Sequence, residues 1–167
     1  GRNDAQRRPG DRAWPAEGWT RVPFWVYTDP ALFEREMETF FYGPSWCYVV
    51  LDCEVPEPGA YKRSFIGQRQ VIVVRTQDGG IAVLENRCAH RQIKLSLGQV
   101  KDCRLVCAYH GWQYDCHGGV TAIPHELFGR DMPRFRVKSY PVRVRYGLIW
   151  IFPGDAALAE NTPMPEI

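Results

Sequence analysis

The chain predicts a mostly β protein, built from antiparallel sheets closed into a sandwich or barrel, with one helix near its start. Three observations carry that prediction. From Trp46 onward, short segments rich in β-branched and aromatic residues recur between turn signals. Asp78-Gly79-Gly80 and His117-Gly118-Gly119 fall between such segments, as tight connections between antiparallel strands require. A single helical pattern precedes them and no repeat runs through them, which points away from alternating βα units and from solenoids.

The elements follow in order. Residues 1–18 hold Arg2, Arg7, Arg8 and Arg12 among Pro, Gly and Asp, the composition of a solvated lead. Trp14, Trp19, Phe24 and Trp25 are expected to pin that lead to the domain surface. Asp29-Pro30 offers an N-cap and a proline at the first helical position. Leu32, Phe33, Met37, Phe40 and Phe41 then recur at helical spacing, and Gly43-Pro44 ends the run. A helix over 30–42 is expected, with its aromatic face in the core. Strands are expected over 46–51, 61–66, 70–75, 81–84, 104–107, 112–114, 120–123, 137–146 and 148–152. Alternation in Val142-Arg143-Val144-Arg145-Tyr146 predicts one wet face, and the continuous apolar run 148–152 predicts a central strand. After Pro153-Gly154 the chain turns Ala-rich and then Pro-rich, which reads as a linker. The expected organisation is an N-terminal segment 1–45, a β domain 46–154 and a linker 155–167 leading to a further domain.

Composition bounds the function. At 167 residues the chain suits one domain with a proper core, and 45% hydrophobic with 24% charged residues is ordinary for a globular protein. A net charge of +2 announces neither a nucleic-acid nor a membrane partner. No apolar run approaches the roughly eighteen residues of a membrane span. The polar, basic start shows no secretory signal, and a reducing cytoplasmic setting is expected. Opening on Gly1 rather than Met, the chain reads as a piece of a longer protein.

The chemistry concentrates in Cys88-Ala89-His90-Arg91 and Cys107-Ala108-Tyr109-His110-Gly111-Trp112, a C-x-H and a C-x-x-H separated by sixteen residues. Each half supplies one thiolate and one imidazole. A [2Fe–2S] cluster with both Cys on one iron and both His on the other needs that donor set. Tetrahedral zinc is the rival, although zinc fingers pair their two Cys on one knuckle and no C-x-x-C occurs here. Of the other cysteines, Cys47, Cys53, Cys103 and Cys116 are read as small buried hydrophobes. Gly111 is expected to let backbone pass close to the cluster, and Trp112 to shield it from water. Arg91 is read as a solvated side chain, and His117 and His125, seven residues apart, as loop histidines. Arg130, Arg134, Arg136, Lys138, Arg143 and Arg145 surround Asp131 alone, and are read as the wet face of a sheet ahead of a docking patch for an acidic redox partner.

These motifs resemble the Rieske domain of the Rieske non-haem iron oxygenases, the terminal components of aromatic-ring hydroxylases and related demethylases. Val26-Tyr27-Thr28-Asp29-Pro30 resembles the start of ring-hydroxylating dioxygenase α subunits. Leu95-Ser96-Leu97-Gly98, Ile123-Pro124 and Tyr146-Gly147-Leu148-Ile149-Trp150 are closer to phthalate- and vanillate-type oxygenases. The resemblance covers residues 26–154 and implies a Rieske-type β fold with two loops holding the cluster through Cys88, His90, Cys107 and His110. It departs at Gln92, where the family commonly has Gly, and at Ala108, where it commonly has Pro, so the first loop is expected to take a slightly different path. Further implications are an electron-transfer role, a ferredoxin or reductase as donor, and a mononuclear Fe(II) confined to a downstream catalytic domain. That domain is expected in a neighbouring subunit of a homotrimer. A free-standing Rieske ferredoxin and a zinc-stabilised binding module are the competing functions.

Overall fold

The computed structural model describes residues 14, 18–101, 104–124 and 131–166. The segment before the sheets carries two short helices, α1 (Trp25–Thr28) and α2 (Pro30–Glu36), and α2 runs on as a π-helical turn, Met37–Phe41. Asp29 starts α2 by accepting from the backbone N–H groups of Ala31 and Leu32, with Pro30 as the first helical residue. The aromatic face expected in the core is not there. Phe33, Phe40 and Phe41 are exposed, as are Trp14 and Phe24, and α2 has no buried residue. The reason lies in the sheets, whose own Val and Ile side chains close the core and leave the helical segment outside it. The segment is tied down at its end. The Tyr42 hydroxyl accepts from the Gln68 backbone N–H at 2.9 Å, and the Arg69 guanidinium lies 3.7 Å over the Tyr42 ring.

Three antiparallel sheets follow, the mostly β architecture that the strand pattern predicts. The first holds β1 (Cys47–Leu51) and β9 (Val142–Arg145) on either side of β10 (Leu148–Ile151), so the continuous apolar run is central as expected. The second is a meander of β2 (Tyr61–Ile66), β3 (Arg69–Arg75) and β4 (Ile81–Glu85). The third runs β5 (Gln99–Lys101), β6 (Arg104–Val106), β7 (Gln113–Tyr114) and β8 (Val120–Ala122). β3 shows why the second sheet is the middle layer. Val71 and Val73 pack with Val49, Ile149 and Ile151 of the first sheet, while Ile72 and Val74 pack with Leu105, Trp112 and Tyr114 of the third. Period-2 alternation thus serves two cores at once, and all four side chains lose essentially all exposure.

Two strand expectations need correction. The run 137–146 is broken, pairing only through bridges at Arg136 and Ser139 before β9 begins beyond Pro141, which has no N–H to give a ladder. In β9 the apolar face is covered only at its start, where Val142 packs on the core, while Val144 stays 49% exposed beside exposed Arg143. β5 was not expected, because Gln99-Val100-Lys101 carries little strand signal of its own and owes its form to pairing with β6.

Candidate metal centre

Each cluster-motif loop leaves a strand of a different sheet and folds by the same local rule. In the first, which follows β4, the Cys88 N–H donates to the Ile93 carbonyl at 2.8 Å and the Cys88 carbonyl accepts from the Gln92 N–H at 2.9 Å. In the second, between β6 and β7, the Cys107 N–H donates to the Trp112 carbonyl at 2.8 Å and the Cys107 carbonyl accepts from the Gly111 N–H at 3.0 Å. Both closures need a left-handed residue at the same place, and Gln92 (φ 61°) and Gly111 (φ 67°) supply it. The expected deviation of the first loop is therefore not seen in its closure. Gln92 adopts the backbone that glycine would, at a cost of about 1–2 kcal/mol for an L-residue.

The loops bring their donors together as two pairs. Cys88 and Cys107 are 1% and 3% exposed, and each lies close enough to the other that Cys88 helps raise the Cys107 thiol. The rings of His90 and His110 lie 4.8 Å apart between centroids, at 62°. Trp112 stacks flat on His90 at 4.7 Å, and Tyr109 covers His110 at 3.9 Å. A thiol pair and an imidazole pair are the donor set of a binuclear iron–sulfur unit with both Cys on one iron and both His on the other.

Burial pushes the Cys107 thiol up, against the backbone N–H groups of Tyr109 and His110 that donate to its sulfur and pull it down. His90 is lowered by desolvation and by the neighbouring charges of His110 and Arg91, which favours the neutral ligand form. Arg91 itself is exposed, as expected.

Three residues that the motif did not announce complete the site. The buried Tyr114 hydroxyl lies 3.0 Å from Cys88 Sγ and takes the Ala89 backbone N–H. Desolvation first, and the Cys88 contact second, push the Tyr114 phenol far up, so it remains a proton donor. Its signal was Trp112-Gln113-Tyr114, where strand alternation sends Trp112 and Tyr114 to the same side. Asn86, 3% exposed, receives the Ser96 N–H and gives its amide to Ser96 Oγ, both at 2.8 Å, and so clasps the two ends of the first loop. Asp115 accepts the N–H groups of His117 and Gly119, fixing the turn beyond β7. No periodicity marks either residue.

Other expected features lie elsewhere. His117 is an exposed turn residue, and His125, Cys103 and Arg130 lie outside the described residues. The three described cysteines outside the motif are not the buried hydrophobes expected. Cys53 is exposed, Cys47 is half-buried with its thiol toward the Phe40 carbonyl, and Cys116 is disulfide-bonded. Much of the basic run is occupied by the domain itself. Arg136 donates to the His117 carbonyl and Lys138 to the Pro153 carbonyl, while Arg143 lies over Trp46 and Arg145 over Tyr146. No helix of the described residues is long and apolar enough to cross a membrane.

Two matched cysteine–histidine loops on a layered β core are the arrangement that an iron–sulfur domain requires. Residues 45–141 match the Rieske [2Fe-2S] domain, and the chain belongs to that family. It is 49% identical over 119 residues to the large oxygenase component of salicylate 5-hydroxylase from Ralstonia sp, covering 70% of this chain and 28% of that protein. It is 44% identical over 127 residues to 4beta-methylsterol monooxygenase from Methylococcus capsulatus, covering 75% of this chain and 34% of that one. Among solved structures, NdmA of Pseudomonas putida CBB5 with caffeine superposes with a TM-score of 0.63 at 33% identity, over 79% of this chain and 38% of NdmA. The chain thus spans about a third of the length of these relatives, of which the first two are an oxygenase component and a monooxygenase by name.

Proposed function

We propose that this chain is the electron-transfer domain of a terminal oxygenase, holding a [2Fe–2S] cluster through Cys88, His90, Cys107 and His110. The observation that carries the reading is the division of those donors into a buried thiol pair and an imidazole pair on two equivalently closed loops. When bound, such a cluster takes up and releases one electron at a time. The chain's residues prepare for that. Cys88 and Cys107 bind as thiolates, and because burial raises Cys107, loading the site releases protons and weakens as pH falls. His90 and His110 bind as neutral rings, oriented by the stacking of Trp112 and Tyr109. Trp112, 4% exposed, keeps water from the thiol side.

The donor of electrons is a ferredoxin or reductase, and the acceptor is a mononuclear non-haem iron in a catalytic domain beyond these residues, in a neighbouring subunit of a homotrimer. Hydroxylation or demethylation of an aromatic-type substrate is the reaction supported by the relatives' names, since one is a salicylate hydroxylase and another a vanillate O-demethylase. The same relatives favour this reading over a free-standing Rieske ferredoxin. Tyr109 against His110 and Phe135 against Trp112, each 60% exposed, set apolar surface where a catalytic domain would meet the loops.

The reading is tested by potentiometry on the chain reconstituted with iron and sulfide. His90→Cys replaces a neutral donor by an anionic one, and the potential is expected to drop by on the order of a hundred millivolts. A retained cluster at unchanged potential would remove His90 from the ligand set. Tyr114→Phe deletes the hydroxyl donated to Cys88 and is expected to lower the potential by on the order of tens of millivolts, with the same visible spectrum. No shift would reduce Tyr114 to core packing.

A further inference from the structure

A groove of about 260 Å³ opens between the β2–β3 turn and the first cluster loop, lined among others by Gln68, Arg69, Glu85, Arg87, Gln92 and Lys94. Its cations are Arg69, Arg87 and Lys94, against the single carboxylate of Glu85. None of the three forms an ion pair among the described residues, where Lys62–Glu54 and Arg75–Asp52 are the pairs seen. Arg69 is held at the rim by stacking on Tyr42, and Arg87 and Lys94 are exposed.

The groove is built from the cluster loop itself. Arg87 directly precedes Cys88, and the Gln92 N–H holds the Cys88 carbonyl. Gln92 also keeps a polar side chain on the groove at φ 61°, a conformation that glycine would take without strain. Strain retained at an exposed position beside a redox site calls for a use of the side chain. The contrast with the rest of the surface is one of charge. Arg136, Lys138, Arg143 and Arg145 are engaged by the domain's own carbonyls and rings, and the rim beside the imidazoles carries exposed Tyr109 together with Arg91. Arg69 is likewise held by the Tyr42 ring, so the exposed positive charge of the groove is that of Arg87 and Lys94, with exposed Arg91 nearby beside His90.

We propose that the groove is the docking site of an acidic one-electron donor protein, whose surface carboxylates meet Arg69, Arg87 and Lys94. The proposal rests on the electron-transfer function above. It assigns electron entry to the polar flank of the first loop and leaves the rim beside the imidazoles for exit. Charge complementarity at such a site acts mainly on the association rate.

The test uses the chain reconstituted with iron and sulfide and two reductants, a reduced acidic plant-type [2Fe–2S] ferredoxin and photoreduced deazaflavin. In the double variant Arg87→Glu/Lys94→Glu, the second-order rate with the ferredoxin is expected to fall about tenfold or more and to lose its dependence on salt. The rate with deazaflavin and the visible spectrum should not change. The control pair Arg143→Glu/Arg145→Glu is expected to lower the ferredoxin rate less than about twofold. Gln92→Glu, which adds one negative charge without touching either cation, is expected to fall between the two. Equal ferredoxin rates in the groove variant and the parent, or equal losses in the groove and control pairs, would overturn the proposal. A parent chain that takes up no iron and sulfide would instead sink the electron-transfer reading on which it rests.

Discussion

Cys107→Ser is expected to leave the chain unable to hold a cluster after reconstitution, with the visible absorption lost and the thermal midpoint lowered. Cys107 is one of the two buried thiols, and its sulfur already receives the backbone N–H groups of Tyr109 and His110. A serine hydroxyl can accept those hydrogen bonds, so the loop itself should survive. The hydroxyl does not ionise near neutral pH and cannot replace an anionic sulfur ligand. Because a cluster that binds only the folded chain adds its binding energy to stability, the loss in the loaded state should exceed that in the unloaded state. Measuring both states by circular dichroism separates the effects. Equal midpoints for loaded parent and loaded variant, with colour retained, would show that Cys107 is not a ligand.

Gly98→Ala is expected to be as damaging by a purely steric route, costing about 4 kcal/mol or more, the range of substitutions that overpack backbone against backbone. A β-carbon at Gly98 would overlap the Val106 carbonyl oxygen and come within 2.8 Å of the Ala108 backbone nitrogen. Neither neighbour can move cheaply. Val106 is paired with Gln99 in the β5–β6 ladder, and Ala108 is the residue after Cys107 in the second loop. Gly79→Ala is the companion variant. Its β-carbon would meet nothing within 4 Å, and only the positive φ of 84° is strained there, at about 1–2 kcal/mol. Urea midpoints should rank parent, Gly79→Ala and Gly98→Ala in that order, and a tolerated Gly98→Ala would mean that the second loop is not held as described.

The parts legible in the sequence were those with a short-range cause. Val71 to Val74 announces a buried strand by composition, and Asp78-Gly79-Gly80 announces its turn by the need for positive φ. The four proposed donors could be named because C-x-H and C-x-x-H place two residue types at fixed spacing on each loop. What escaped depends on partners distant in sequence. The spacing of Phe33, Phe40 and Phe41 fits an amphipathic helix, yet whether its apolar face is covered depends on what the sheets leave open. Asn86 and Ser96 are unremarkable until the loop between them closes, and Tyr114 becomes a partner of Cys88 only when two sheets pack. The basic run 130–145 reads as the wet face of a sheet, and what charge alone does not announce is that Arg136, Lys138, Arg143 and Arg145 serve separate carbonyls and rings.

The central claim is that Cys88 and Cys107 form one ligand pair and His90 and His110 the other. Pulsed electron paramagnetic resonance on the reduced, reconstituted chain, grown with nitrogen-15 histidine, addresses it directly. The account predicts coupling from two directly bound imidazole nitrogens, of which one disappears in His90→Cys while the paramagnetic signal persists. A reduced cluster with no nitrogen-15 coupling, or a colourless chain that takes up one zinc ion and gives no signal at all, would contradict it.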